Sequence, residues 1–449
     1  MSLTPRDILL FAIVFGLIIL TGFMQSWNVA LGILNMGLIS AIMALGVNMQ
    51  WGYAGLFNVG VMGFVALGGL AAVLFGMPPV TDAWAAGGGR VILSLIIGVL
   101  TIVAAVMAWV KLPSGRNRTL VMVALLIIGF FVYRGFFDPA VAAIEKVNPA
   151  GTGYLGGVNV LALWRGESEF PQADLFILLA WPAGAVLAAG AAWLIGKTAL
   201  GLRSDYLAIA TLGIAEIVIA VLKNEDWLSR GVKNVIGLPR PVPYEIALQN
   251  DEGFLDRMTS LGADPVTASS IMVKLSYTGL FVIVLIALLW LSQAALNSPW
   301  GRMMRAIRDN EVAAEAMGKD VTARHLQIFI LGSAVCGLAG AMMTTLDGQL
   351  TPGTYQPLRF TFLVWVMVIV GGSGNNFGAV LGGFLIWYLW IMVEPAGLFV
   401  IQLITSPMAE GYWLKDHLLD SAAHMRLLTM GVILILVLRF SPRGLIPER

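Results

Sequence analysis

The sequence predicts an all-α protein: a polytopic bundle of about 10–12 transmembrane helices, with some spans broken or re-entrant and both ends in the cytoplasm. Three observations predict it. Of the 449 residues, 58% are hydrophobic and 12% charged, whereas a soluble domain carries roughly 45–50% apolar and about 25% charged residues. Solid apolar runs recur from Asp7 to the C-terminus, too many for one buried core and without the alternation of a membrane β-barrel. The net charge is +1, so nothing points to nucleic acid. The single Cys336 lies in an apolar run and has no intrachain disulfide partner.

A hydrocarbon core about 30 Å thick needs ~20 helical residues. The opening "MSLTPRDILLFAIVFGLIILTGF" reads as a retained first span, 8–24, because no convincing small-residue cleavage site follows. Further spans fall at 29–49, 59–76, 91–110, 119–137 and 174–196, then at 205–223, 275–295, 325–345, 360–372, 378–400 and 426–440. The segments at 59–76 and 360–372 are short or glycine-rich, which leaves broken or re-entrant helices open. With the N-terminus inside, the inner loops hold about 14 lysines and arginines in about 80 residues, and the outer ones about 9 in about 148. That asymmetry places both ends, and the loop at 296–325, in the cytoplasm. The chain then forms one membrane domain, 1–449, with outer loops at 138–173, 224–270 and 401–425. The first of these, with Trp164, Arg165, Glu167 and Glu169, reads as an amphipathic outer segment.

Nine charges gather between Arg302 and Arg324. "SPW" at 298–300 ends the preceding helix, since proline removes a donor and restricts its neighbour. From there Met303, Ile307, Ala314, Met317 and Val321 recur at helical spacing, predicting a short amphipathic helix over 302–318. Arg305 with Asp309, and Glu315 with Lys319, stand four apart and suit internal ion pairs. Gly318 is its stop and Thr322 an N-cap for the next span. One role for such a helix is an anchor at the lipid surface. Its acidic residues Asp309, Glu311, Glu315 and Asp320 gain nothing from anionic lipid, and its mixed charge suits a groove in a partner protein.

"EVAAEAMG" (311–318) resembles the EAA-type coupling helix of ABC importer permeases, and 298–343 resembles the corresponding region of branched-chain amino acid permeases of the LivM type. "GYAGLFNVGVMGFVALGG" (52–69), "LRSDYLAIATLGIAEIV" (202–218), "GGSGNNFGAVLGG" (371–383) and the closing "RFSPRGLIPER" are similar to the same family, in order, over roughly half of the chain. The resemblance implies a permease subunit of a binding-protein-dependent importer of hydrophobic or branched-chain amino acids in a bacterial inner membrane. It implies a second homologous permease chain, two cytoplasmic ATPases that carry the ATP and Mg, and a periplasmic solute-binding protein. This chain would bind no cofactor and catalyse no reaction. Arg305, Arg308, Asp309, Glu311, Ala314, Glu315 and Gly318 are the residues that would couple to the ATPase. Two other readings stand beside it: an ABC permease for urea or short-chain amides, and an ion-coupled secondary transporter.

The sequence holds no ATPase motif. "AAWLIGKT" (191–198) has Ala191 where the first glycine of a P-loop belongs, and it ends an apolar helix instead of following a strand. His325, His417 and His424 lack metal-ligand spacing. Glu216 lies mid-span, where a carboxylate costs at least about 2.5 kcal/mol unless paired, hydrated or protonated. It is a candidate for the translocation path, near a substrate ammonium; an interhelical hydrogen bond or ion pair is equally open. Asp205 and Tyr206 read as cap and interface anchor. Glycine clusters at 52–69 and 371–383 interrupt apolar segments in the two halves, a pattern that marks transporter sites. Gly55, Asn58, Gly60, Gly371, Gly372 and Gly374 are therefore candidates for the path, although turn or cap roles suit Asn58, Asn375 and Asn376 better. Where the family pattern in the 224–270 loop has paired glycines and Asn-Gly, this chain has Arg230-Gly231 and Asn234-Val235.

Overall fold

The computed structural model describes residues 4–147, 153–159, 173–202, 204–408 and 412–448. The segment with Trp164, Arg165, Glu167 and Glu169 lies outside them. Each of the twelve expected spans is occupied by a helix. The first half has α1 (Pro5–Met24), α2 (Trp27–Ala54), α3 (Val61–Gly76), α4 (Gly89–Lys111), α5 (Arg116–Val147) and α6 (Ala180–Ala199). The second half adds α7 (Ser204–Asn224), α8 (Pro265–Asn297), the short pair α9 (Pro299–Asp309) and α10 (Glu311–Ala316), then α11 (Val321–Asp347), α12 (Pro357–Gly371), α13 (Asn376–Thr405) and α14 (Met425–Phe440). Among the described residues nine helices are long and apolar enough to cross a membrane, ten if α14 and the bent Trp413–Asp420 helix before it form one span. The short α3 and α12 are the two segments whose length in the sequence left them in question.

Local chemistry sets the ends. Thr4 and Asp7 form a reciprocal capping box with Pro5 at the first helical position of α1. Asp264 caps α8 through the Thr267 N–H at 2.9 Å, again with a proline at the first position. Helix therefore takes in parts of the expected outer loops: α5 runs on through Pro139 to Val147, α8 begins at Pro265, and α13 reaches Thr405 through Pro395. The 224–270 segment also holds helical turns at Asp226–Ser229, Glu245–Gln249 and Glu252–Ser260.

The core is built on α2 and α11, whose most apolar windows are 72% and 67% buried against 6% for α5. α2 packs on α8, α11 and α13, while α11 packs on α3 and α6. Glycine makes these approaches close, as membrane helices require in the absence of a hydrophobic drive between them. A Cβ at Gly46 of α2 would stand 2.8 Å from both the Gly332 carbonyl oxygen and Cys336 Sγ of α11. By contrast α4 and α5 pack chiefly on each other at the margin, joined to the rest through a small cluster that includes Phe137, Leu155 and Trp227.

Two faces of the bundle are distinguished by what the loops touch. On one, strand β1 (Val235–Ile236) pairs antiparallel with β2 (Gln349–Leu350), Pro79 bridges to Gly156, and Lys274 Nζ donates to the Asn28 carbonyl at 2.9 Å. On the other, the loop after α2, the α9–α10 pair, the turn between α12 and α13 and the tail 441–448 meet.

Candidate functional site

The charged stretch folds as a two-helix knob. Ser298 closes α8 and opens α9: its Oγ accepts from the Gly301 N–H at 3.3 Å, and Pro299 takes the first helical position. The single helix expected over 302–318 is broken at Asn310, which is extended (φ −157°, ψ 95°) and whose side chain accepts from the Ala313 N–H at 3.0 Å to start α10. An asparagine competes for backbone donors, and here it wins. Gly318 closes the unit in the left-handed region (φ +77°), its N–H donating to the Glu315 carbonyl at 2.8 Å. The cap of α11 is Asp320 rather than Thr322, through the Ala323 N–H at 2.9 Å.

Met304, Ile307 and Ala314 are buried against the bundle. Outward the knob presents Glu311 and Glu315, with Val312 and Met317 left 76% and 80% exposed. The four-residue pairs Arg305–Asp309 and Glu315–Lys319 are absent from the ion pairs among the described residues. Asp309 instead meets Arg308 at 3.2 Å.

Arg308 is the fastener. One of its terminal nitrogens donates to Glu448 Oε2 at 2.8 Å and also to the Gly52 carbonyl of α2. Partial burial opposes its charge, but the hydrogen bonds and charges of Glu448 and Asp309 outweigh that and raise its pKa. The tail that carries Glu448 is itself tied down: the Leu445 and Ile446 N–H groups donate to the Val370 and Gly371 carbonyls, each at 2.9 Å, and Asn375 Nδ2 donates to the Pro447 carbonyl at 3.1 Å. Sequence reasoning missed Glu448; a lone acid among the basic residues of the tail was the available signal.

Behind this lies a buried polar layer that gathers most of the sequence-predicted path residues. Asn48 Oδ1 accepts from the Gly374 N–H at 2.8 Å, its Nδ2 donates to Asn376 Oδ1 at 3.2 Å, and Tyr53 donates to that same oxygen. Asn58 donates to Gln50 Oε1 and accepts from the Gly60 N–H, both at 2.9 Å, and its carbonyl accepts from Trp365 Nε1 at 3.0 Å. Asn375 caps α13 through Phe377 and Gly378. Gly55 is the left-handed end of α2 (φ +70°), and Gly60 lies so close to Thr211 of α7 that a Cβ would stand 2.8 Å from its carbonyl carbon. Gly371 packs on Gly378, and Gly372 (φ +121°) on the tail at Ile446. These eight hydrogen bonds satisfy the polar groups of the layer, and Gly60, Gly371 and Gly372 make contact with backbone, whereas Gly55 and Gly374 face the side chains of Arg308 and Glu448. Next to Gly52, Trp51 meets Trp365 edge-on with centroids 5.1 Å apart.

Glu216 is not brought to this layer. It stands on the outward face of α7 with the exposed Tyr206, Ile209 and Ile217, and no hydrogen bond or ion pair to it is found among the described residues. Other acids within spans behave differently: Glu394 pairs with Arg426, and Asp138 with Arg134 at 3.0 Å.

The structure also holds a cavity of about 250 Å³ that the sequence did not reveal, walled by α2, α3, α11, α12, α13 and the 354–355 turn. Met43, Met62, Met343 and Met367 line it, together with Ser40 and Asp347.

The profile of a family described as "Branched-chain amino acid transport system / permease component" matches residues 143–438. The high-affinity branched-chain amino acid transport system permease protein LivM of Salmonella typhimurium is 28% identical over 321 residues, covering 66% of this chain and 75% of the relative. A probable branched-chain amino acid transport permease protein LivM of Methanocaldococcus jannaschii is 25% identical over 248 residues, 55% of this chain and 61% of the relative. The fructose import permease protein FrcC of Rhizobium meliloti is 28% identical over 116 residues, 25% of this chain and 31% of the relative. No solved structure matches. Helices that run through a membrane many times, a charged knob fastened to them, and a family match spanning most of the chain lead to one conclusion: this multi-pass membrane protein belongs to the permease component family of branched-chain amino acid transport systems.

Proposed function

We propose that this chain is a translocating subunit of an ATP-driven importer for hydrophobic or branched-chain amino acids in a bacterial inner membrane. It works with a second permease chain, two cytoplasmic ATPases that bind ATP and Mg, and a periplasmic solute-binding protein. The observation that carries the reading is the α9–α10 knob. It leaves two apolar side chains, Val312 and Met317, exposed beside Glu311 and Glu315 while its root is fastened by Arg308 to α2 and the tail. A knob that is apolar and acidic outside and rigid inside suits docking into a moving partner. ATPase closure then pushes Arg308, and with it Gly52 and the glycine turn at Gly374, so that the aromatic pair Trp51–Trp365 shifts between two packings. Glu216, without a partner among the described residues, supports the second permease chain: an outward mid-span carboxylate is costly in lipid and calls for a polar neighbour on another membrane chain.

The test is uptake of L-leucine by proteoliposomes holding this chain, the second permease and the ATPases, with binding protein outside. Uptake that requires both ATP and binding protein supports the reading. Uptake by this chain alone on an ion gradient overturns it.

A further inference from the structure

We infer that the methionine-lined cavity is a binding site for a molecule with a compact aliphatic body and an ammonium group. The amino-acid probe chosen below rests on the importer reading; the cavity itself does not. Three observations converge on it. The first is its size and wall: about 250 Å³ between α2, α3, α11, α12 and α13, lined by Met43, Met62, Met343 and Met367 together with Leu363 and Val364. Thioether side chains are unbranched and adapt to varied aliphatic shapes, so such a wall accepts several related bodies without selecting one.

The second is Ser40. Its side chain is fully buried, it lines this cavity, and its Oγ has no hydrogen-bond partner among the described residues. Serines elsewhere in the spans, such as Ser94 and Ser276, give their hydroxyls to a carbonyl of their own helix, at 2.7 and 2.9 Å. A buried hydroxyl without a partner is destabilising unless a ligand or water meets it. The third is Asp347 at the end of α11, an exposed carboxylate on the same wall with no ion pair among the described residues. It stands at the rim, on the bundle face that carries the β1–β2 pair. Among the described residues no lysine or arginine lines the cavity. The site therefore holds an ammonium at Asp347 and an aliphatic chain among the methionines, and leaves a carboxylate, where the ligand has one, toward water.

The test uses the full-length chain in membranes, with Cys336→Ser removing the native thiol and Ser40→Cys or Met43→Cys placing one in the wall. The thiol reagent is 2-aminoethyl methanethiosulfonate. Labelling at either position is expected, slowed by L-leucine and by 3-methylbutylamine but not by 4-methylpentanoate. Adding Asp347→Asn is expected to raise the leucine concentration needed for protection by ~10-fold or more, the loss of one charge-assisted contact. No labelling at either position overturns the proposal, as does protection that is absent or equally strong with the anion. Protection without ATP-dependent uptake by the assembled complex would leave the site standing and overturn the importer reading alone.

Discussion

Arg308→Ala removes a side chain that joins the knob, α2 and the tail. The Arg308 and Glu448 side chains are 25% and 26% exposed, so solvent screens their pair only in part, whereas Asp309 is 68% exposed and its pair contributes little. A charge-assisted hydrogen bond between shielded partners contributes about 1.5–3 kcal/mol, and the Gly52 carbonyl adds about 0.5–1 kcal/mol. Only the Glu448 part bears on the tail, and losing about 1.5–3 kcal/mol moves the balance between docked and released tail by roughly 10- to 150-fold. The assay is amide hydrogen exchange at Leu445 and Ile446, whose N–H groups donate to Val370 and Gly371 only while the tail is docked. Exchange there is expected to accelerate by about that factor in Arg308→Ala and by less in Glu448→Gln, which keeps a neutral hydrogen bond, with no change at Leu285 in α8. Wild-type exchange at Leu445 and Ile446 in Arg308→Ala would mean that the tail is held by its own backbone bonds and that Arg308 is not the fastener.

Charge reversal at Glu311 and Glu315, both exposed on the knob, is expected to abolish uptake while the protein stays in the membrane fraction; retained uptake would remove the knob from the coupling route. Gly371→Ala places a Cβ 2.7 Å from the Gly378 carbonyl carbon and is expected to cost about 1–3 kcal/mol in a detergent melt. Gly32→Ala, which meets nothing within 4 Å, serves as the control and is expected not to lower the melt. Glu216→Leu is expected to leave the isolated chain as stable or more so, since an unpaired carboxylate facing lipid costs at least about 2.5 kcal/mol. The same change is expected to weaken co-purification with the second permease; unchanged association would move the partner off α7.

The helices were legible because lipid leaves the chain little choice: apolar runs of sufficient length form helix, and every expected span holds one. Ends were less legible, because they turn on single side chains. Asn310 splits the knob, and Asp320 takes the cap that Thr322 was assigned, since both offer an oxygen to the same kind of backbone donor and the geometry decides between them. Long-range partners were not legible at all. Arg308 reads in sequence as one member of a charged helix, and nothing local says that its partner stands 140 residues on at Glu448. Glu216 was found by its position in an apolar run, yet the direction it faces depends on which side of α7 the other helices cover. Asp347 escaped notice because it follows the apolar run 325–345 and reads as a loop acid, while the methionines of the cavity come from separate helices.

The central claim is that the 311–318 knob seats in an ATPase, and proximity cross-linking tests it most directly. Val312→Cys or Met317→Cys, in a Cys336→Ser background, is treated in native membranes with a short thiol-to-amine cross-linker. An adduct of this chain with the ATPase, formed from both positions and absent from Ile246→Cys on the opposite face, is the expected result. No adduct from the knob, or equal yield from Ile246→Cys, would contradict the account.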